Sequence, residues 1–173
     1  MPNIRKAQGR ARALRAKHGV DDLPTDVLRL AELEGIQVDC TDLGHEVSGL
    51  LLKREEGAVI GVNGRDPPTR QRFTIAHELG HHVLHGNREL FVDKNYIVHF
   101  RDGNSSGGVD PLEVEANHFA AELLMPSERV QELFKKRPFD MDDTRELRKL
   151  ATIFGVSGPA MTARLSSLGL FVT

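Results

Sequence analysis

The sequence predicts an α+β fold in which helices pack on one small sheet of the antiparallel type. Two helical segments come first, three short strand-like runs follow between residues 36 and 62, and helical segments return from residue 69 onward. Helices and strands in this order suggest the α+β class with a single sheet. The length of 173 residues fits one domain, or one domain with a small appendage.

The composition indicates the environment in which this fold is expected. Hydrophobic residues make up 39% of the chain, and with eight Phe, one Tyr and no Trp the core must be mainly aliphatic. No apolar run approaches the roughly 20 residues that span a membrane, and residues 1–6 lack the apolar segment of a signal peptide. A single cysteine, Cys40, excludes an internal disulfide. We therefore expect a cytoplasmic protein with no membrane partner.

The first half of the chain is predicted to contain two helices and three strands. A helix rich in Arg, Ala and Lys is expected over residues 3–17, and a second over residues 24–34, where Thr25 or Asp26 can provide the N-cap. Strands are predicted over residues 36–43, 47–53 and 58–62. Residues 54–57 are predicted to form the hairpin turn between the last two strands.

The second half is predicted to be mainly helical. A helix is expected over residues 69–85, ended by Gly86, and a further helix over residues 110–125. Between them, residues 90–100 have some strand character, and the glycine-rich residues 102–108 predict a mobile loop. Shorter helices are predicted over residues 127–135, 142–153 and 158–168.

Residues 77–81, His-Glu-Leu-Gly-His, form the pattern H-E-x-x-H within a predicted helix. Residues four apart on a helix lie on one face about one turn apart, so His77 and His81 can bind one metal ion. Glu78 lies about 100° around the helix from His77, where its carboxylate can take a proton from an attacking water and pass it to the leaving amine. Zinc in such a site acidifies water and polarises a carbonyl group. The pattern therefore predicts a zinc peptidase with Glu78 as the catalytic residue.

The surroundings of this pattern strengthen the prediction. A shuffled chain of the same composition would contain the pattern in roughly 3% of cases, and Gly80 in mid-helix is expected where another element packs closely. His85 lies about 12 Å along the axis from His77, too far to share its metal ion, and is expected to cap the helix or support the ligands. A metzincin would have its third histidine at Asn87, so that arrangement is excluded. The alternative is a structural pair of histidines on a polar helix face.

A third protein ligand is expected from the helix over residues 110–125, since a catalytic zinc takes three protein ligands. The apolar stripe of this helix consists of Leu112, Ala116, Phe119, Ala120 and Leu123. Glu115 borders the stripe and can face the histidines across a helix pair. Glu113 is the second choice, and His118 is a rival that lies further from the packed face. Glu122, two turns beyond Glu115, is expected to be a solvated charge.

Two segments resemble the ImmA/IrrE metallopeptidases: residues 72–81, Arg-Phe-Thr-Ile-Ala-His-Glu-Leu-Gly-His, and residues 115–126, Glu-Ala-Asn-His-Phe-Ala-Ala-Glu-Leu-Leu-Met-Pro. The resemblance is strongest over residues 65–130. It implies a zincin-like domain with one catalytic zinc ion, held by the two histidines and by the Glu before Ala-Asn, which is Glu115. It also implies a site-specific endopeptidase that cleaves, or otherwise disables, a helix-turn-helix repressor of a mobile element or stress regulon.

Residues 136–173 are predicted to be a helical extension packed on a metallopeptidase domain of residues 1–135. Residues 150–165 are typical of a helix-turn-helix, which leaves two interpretations: a DNA-binding segment, or a helical pair that completes the core. Arg164 is the only basic residue of the second helix, whereas phosphate contacts need several, which favours the helical pair. The basic residues of segment 1–18 fit either an acidic partner or a solvated helix face.

The function predicted from these residues is hydrolysis of a peptide bond in a regulatory protein by a zinc endopeptidase. The alternatives are a DNA-binding regulator and an antitoxin-like module whose metal site sequesters a partner without proteolysis. The oxyanion of the transition state needs a donor besides the metal ion, for which Tyr96 and His99 are the candidates. The loop over residues 103–108 is a candidate gate of the cleft.

Overall fold

The computed structural model describes residues 1–55, 57–86, 90–94, 110–136 and 144–170. The elements in these ranges are α1 Ile4–His18, α2 Val27–Leu33, β1 Ile36–Thr41, β2 Val47–Arg54, β3 Gly57–Asn63, α3 Pro68–Leu84, β4 Leu90–Lys94, α4 Pro111–Leu124, α5 Ser127–Lys135, α6 Thr144–Phe154 and α7 Gly158–Ser167. None of the described helices is both long and apolar enough to cross a membrane.

The predicted helices and strands have counterparts among the described residues, and the boundaries differ by a few residues. Helix α2 begins at Val27, and its N-cap is Asp26, whose side chain accepts a hydrogen bond from the backbone N–H of Arg29. Of the two predicted N-cap candidates, the structure therefore uses Asp26 and not Thr25. Of the predicted strand over residues 90–100, only β4 falls in the described ranges, and the predicted loop over residues 102–108 lies outside them. Apolar periodicity and capping residues were therefore sufficient to locate the elements.

The four strands form one mixed sheet in the order β1-β3-β2-β4, so the prediction of an antiparallel sheet is wrong at one edge. The β2–β3 hairpin and the β2–β4 pair are antiparallel, whereas β1 pairs with β3 in parallel. The buried residues of β3 are Ala58, Ile60, Gly61, Val62 and Asn63. A strand that is buried on both faces takes an interior position in a sheet, and β1 fills the side of β3 that the hairpin leaves open.

Helix α3 lies between the sheet and α4, with contacts to β2 and β3 on one side and to α4 on the other. The approach to α4 is close at Gly80, where a Cβ atom would lie 3.0 Å from Cδ1 of Phe119 and 3.3 Å from Cα of Ala116. The expectation that Gly80 marks close packing against another element is therefore confirmed. The absence of a side chain at this position allows the two helices to approach beside the histidine pair.

Helices α6 and α7 contribute to the same hydrophobic core as the rest of the chain. Their buried apolar residues include Leu150, Phe154, Met161 and Leu165. Arg164 of α7 is also buried, and its guanidinium donates to the carboxylate of Glu122 and to the carbonyl oxygen of Met125. The only basic residue of α7 therefore faces inward. The division of the chain into residues 1–135 and 136–173 stays a prediction.

Candidate metal centre

The two histidines of the H-E-x-x-H pattern lie one turn apart on α3 and face α4. Both are almost fully buried, since His77 is 2% and His81 1% exposed. Their Nε2 atoms lie 3.0 Å apart, and the Glu113 carboxylate spans the pair, with Oε2 3.1 Å from His77 and Oε1 3.3 Å from His81. Among the described residues, these three side chains form the group that could hold a metal ion, with donor atoms within 4.8 Å of one another.

The carboxylate at the histidine pair belongs to Glu113, whereas the sequence predicted Glu115 in this place. Glu115 points elsewhere, because its Oε1 accepts a hydrogen bond from the backbone N–H of Asn3 at 2.7 Å and its Oε2 lies 3.9 Å from Nε2 of His85. Residues two apart on a helix are rotated by about 200°, so the two carboxylates cannot both reach the pair of His77 and His81. The rotation of α4 is fixed by its close packing on Gly80, and that rotation selects Glu113.

The arrangement fits a small divalent cation. A tetrahedral site with bonds of about 2.0–2.1 Å places its donor atoms roughly 3.3 Å apart. The distances between the two imidazole nitrogens and from these nitrogens to the carboxylate oxygens are 3.0, 3.1 and 3.3 Å. Two imidazoles and one carboxylate are also a donor set of catalytic metal sites. The residues present therefore match a metal ion in both spacing and chemistry.

Burial and hydrogen bonding determine the charges in this cluster. Burial lowers the pKa of His81 to about 4, so its ring is neutral at pH 7. Burial opposes ionisation of Glu113, but the contacts of its carboxylate with the imidazoles of His77 and His81 outweigh that effect and hold the pKa of this carboxyl below its usual range. An ionised carboxylate and a neutral imidazole are the protonation states that bind a metal ion.

Asn117 belongs to the same cluster, although the sequence suggested no role for it. Its Oδ1 lies 3.0 Å from Nδ1 of His77, the ring nitrogen that faces away from Glu113. Asn117 follows Glu113 by four residues, so both project from one face of α4 toward histidines that are themselves four residues apart. This repeated spacing on two neighbouring helices is the signal in the sequence that could have identified it.

Glu78 lies on the side of α3 that faces the sheet. The residue is completely buried, and its Oε1 would lie 3.5 Å from a Cβ atom at Gly49 of β2. The same Cβ atom would lie 2.2 Å from Cγ2 of Thr74, one turn earlier on α3, so the backbone of β2 approaches the helix closely here. The strand register is irregular at this point of the β2–β4 pair. Glu78 is thus held beside the ligand face by contact between helix and strand.

His85 lies at the end of α3, next to the cluster. It is the C-cap of the helix, its Nε2 lies 3.3 Å from the carbonyl oxygen of Leu112, and its ring centroid lies 5.4 Å from that of His81. Lys53 of β2 donates to the carbonyl oxygens of His82 and His85 at 3.5 and 3.3 Å. The prediction that His85 caps the helix is therefore confirmed, and Lys53 stabilises the same helix end.

The remaining candidate residues do not join the described cluster. His118 is not part of the group that could hold a metal ion, and burial lowers its pKa. Tyr96 and His99, the candidates for an oxyanion donor, lie outside the described residues, as does the loop over residues 103–108. An oxyanion donor therefore stays a prediction.

Glu122 is buried, and the prediction that it is a solvated charge is wrong. It is 1% exposed and accepts hydrogen bonds from the guanidinium of Arg164, from Arg12 at 3.2 Å, and from the backbone N–H and hydroxyl of Ser127 at 3.3 and 3.0 Å. Arg164 follows Glu122 by 42 residues, so helical periodicity could not reveal the pair. Arg12, one of the basic residues of α1, is also used within the fold.

Comparisons with known proteins identify a family and several relatives of the chain. Residues 31–166 match the family described as the IrrE N-terminal-like domain. The chain is 32% identical over 139 residues to an uncharacterized immunity region protein 2 of Bacillus phage phi105, covering 80% of this chain and 77% of that protein. It is 28% identical over 156 residues to the metallopeptidase ImmA of Bacillus subtilis, covering 89% of this chain and 80% of that protein. It is 33% identical over 131 residues to the radiation response metalloprotease IrrE of Deinococcus deserti, covering 75% of this chain but only 44% of IrrE.

Proposed function

The chain belongs to the ImmA/IrrE family, and from this premise we propose that it is a zinc-dependent endopeptidase that acts on a regulatory protein. The observation that carries the proposal is the cluster of the buried His77 and His81 with the partly exposed Glu113 on two packed helices. The names metallopeptidase and metalloprotease of two relatives support a peptidase activity. A protein that cuts other proteins in this way needs one metal ion and one acid–base residue.

We assign the metal site to His77, His81 and Glu113, so that Glu113 takes the place expected for Glu115. Two nitrogens and one carboxylate oxygen favour zinc, since calcium and magnesium prefer oxygen donors. A zinc ion held there would supply Lewis-acid chemistry that polarises the scissile carbonyl and acidifies the attacking water. The depressed pKa of Glu113 keeps its carboxylate ready to bind the cation at neutral pH.

Glu78 is the proposed acid–base residue. Its carboxylate takes a proton from the attacking water and then donates this proton to the leaving amine, which completes hydrolysis of the peptide bond. The Glu78 side chain packs against Gly49 of β2, and helix geometry places it about 100° around α3 from His77. A carboxylate held in this way needs little reorganisation when the substrate binds.

The proposed substrate is a helix-turn-helix repressor that is encoded close to this protein. The name of the phage relative, an immunity region protein, supports a regulatory setting. Burial of Arg164 weighs against DNA binding by α7, because the only basic residue of that helix is engaged with Glu122 and Met125. Proteolysis of a regulator therefore has more support than direct binding of DNA.

Cleavage of the neighbouring repressor by the purified, zinc-loaded protein tests the proposed function. We expect the wild-type protein to cut at one bond, detected by electrophoresis and mass spectrometry. Glu78→Gln keeps the shape of the side chain, and we expect it to retain zinc but to lose cleavage by about 100-fold or more. Cleavage that survives this change would contradict the role of Glu78. If the wild-type protein and Glu78→Gln both inactivate the repressor and neither cleaves it, the result would indicate sequestration instead of proteolysis.

Glu113→Gln and Glu115→Gln are matched variants that test the third ligand, because they make the same chemical change two residues apart on α4. We expect Glu113→Gln to lose most of its zinc on dialysis against a mild chelator, whereas Glu115→Gln keeps it. Zinc content measured by atomic absorption gives the result. The opposite order of zinc loss would show that Glu115 is the ligand.

A further inference from the structure

We propose that Asn117 is a positioning residue that fixes the tautomer and ring orientation of His77, so that the two histidines are not equivalent ligands. The proposal rests on the metal site proposed above. It adds Asn117, which contacts the proposed metal ligand His77 and not the ion itself. It concerns the side of His77 that faces away from the ion, where Oδ1 of Asn117 lies 3.0 Å from Nδ1.

The hydrogen bond determines which ring nitrogen carries the proton. An amide oxygen can only accept, so Nδ1 of His77 must donate to Oδ1 of Asn117. Nε2 then keeps its lone pair, and this is the atom that lies 3.1 Å from Glu113 and 3.0 Å from Nε2 of His81. The alternative tautomer, with the proton on Nε2, would lose the bond to Asn117 and could not bind the ion through Nε2.

The surroundings of His81 are different. In the part of the chain that the structure describes, its buried Nδ1 has no hydrogen-bond partner. The ring instead stacks on Phe91 of β4, with ring centroids 4.2 Å apart and an angle of 24° between the planes. His81 is thus oriented by packing, whereas His77 is oriented by a hydrogen bond. Asn117 thus selects the tautomer of His77 through the nitrogen that faces away from Glu113, whereas the corresponding nitrogen of His81 has no such contact among the described residues.

Helix geometry explains why Asn117 can do this. Glu113 and Asn117 are four residues apart on α4, and His77 and His81 are four apart on α3, so two pairs of side chains face each other across the contact at Gly80. Glu113 reaches Nε2 of both rings, and Asn117 reaches Nδ1 of His77. Residues that hold a metal-binding histidine by its second nitrogen raise metal affinity by about 10- to 100-fold.

The test compares Asn117→Leu, which has a similar shape but no acceptor, with Asn117→Asp, which keeps an acceptor oxygen. Glu115→Gln, a change on another face of α4, is the control. Zinc affinity is measured by competition with a chromogenic chelator, after thermal unfolding has shown that each metal-free variant is folded. We expect Asn117→Leu to bind zinc about 10- to 100-fold more weakly, and Asn117→Asp to bind at least as tightly as the wild-type protein.

A spectroscopic measurement on the metal-free protein tests the contact without any metal ion. Nitrogen-15 NMR of the imidazole rings is expected to show His77 with its proton on Nδ1 in the wild-type protein and in Asn117→Asp, and a shift toward the Nε2 form in Asn117→Leu. Unchanged zinc affinity in Asn117→Leu, or an unchanged tautomer, would overturn the proposal. If the wild-type protein bound no zinc but the tautomer of His77 still depended on Asn117, the result would contradict the proposed metal site and would support the contact between Asn117 and His77.

Discussion

Helix α4 carries a carboxylate near each end, the partly buried Glu113 and the fully buried Glu122, and the protein accommodates the two in different ways. Near the N-terminal end, the oxygens of Glu113 lie 3.1 and 3.3 Å from Nε2 of His77 and of His81, and the ring of His81 is neutral at pH 7. Near the C-terminal end, Glu122 is paired with the guanidinium of Arg164, which is itself 1% exposed, and also accepts from Ser127. The charge of Glu122 is thus compensated by a cation that belongs to the chain.

This difference distinguishes a structural carboxylate from one that is prepared for a ligand. A buried charge is costly unless an opposite charge lies beside it. Arg164 provides that charge for Glu122, and the pair links α4 to α7. A neutral imidazole cannot provide it for Glu113, and in the proposed metal site a cation from solution would do so. The same helix therefore stabilises the fold at one end and forms the proposed metal site at the other.

Removing the internal cation is expected to have the largest effect on stability. Arg164→Met would leave the buried Glu122 with only the half-exposed Arg12 as a cationic partner, and we expect a loss of about 3–5 kcal/mol in the free energy of unfolding. The double variant with Glu122→Leu, which removes both charges, should recover most of this loss. Urea unfolding of the three proteins measures the difference. An equal loss in the single and double variants would show that packing, and not charge, dominates at this end.

Acid is expected to destabilise the metal-free protein through the histidines of α3 that face the N-terminal end of α4. Because burial lowers the pKa of His81 to about 4, the unfolded chain binds a proton more readily, and stability falls as the pH drops from about 6.5 toward 4. At about 1.4 kcal/mol per pH unit, this group alone accounts for a loss of about 3 kcal/mol. The depressed pKa of Glu113 adds a loss of the same sign at lower pH, below the usual pKa of a free glutamate.

The measurement for this prediction is the urea midpoint of metal-free protein at several pH values between 7 and 4. His81→Phe, which keeps an aromatic ring against Phe91, is the control, and its stability should depend less on pH over this range. Identical pH profiles for the two proteins would assign the acid sensitivity to other groups.

The smallest effect is expected where the two helices touch between these ends. Gly80→Ala would place a methyl group 3.0 Å from Phe119 and 3.3 Å from Ala116, and overpacking is expected to exceed the gain in helix propensity by about 1 kcal/mol. Gly9→Ala on α1 is the matched control, because no atom lies within 4 Å of its new Cβ, and it should stabilise by about 0.5–1 kcal/mol. Thermal unfolding gives both values. Stabilisation by Gly80→Ala would mean that α4 can move away without cost.

The sequence predicted the helix that carries the histidines, because the H-E-x-x-H spacing and the helical period agree. It could not decide between Glu113 and Glu115, since both border the apolar stripe of α4 and only the packing on α3 fixes the rotation of that helix. It also could not show that Arg164 neutralises Glu122, because the pair joins segments far apart in the chain. The parallel pairing of β1 with β3 likewise depends on which strand of the β2–β3 hairpin lies next to β1 in the sheet, and the sequence does not show this.

The contact at Gly80 also bears on which ions fit between the helices. The spacing of the two histidine nitrogens follows from the pitch of α3, whereas their distance to Glu113 depends on the gap between α3 and α4, which is closed where Gly80 meets Phe119. Calcium forms bonds of about 2.3–2.6 Å, longer than the roughly 2.0–2.2 Å of zinc. A larger ion would have to separate two helices that are held in a close-packed core. Selection by ionic radius would then depend on a residue that has no side chain and touches no ion.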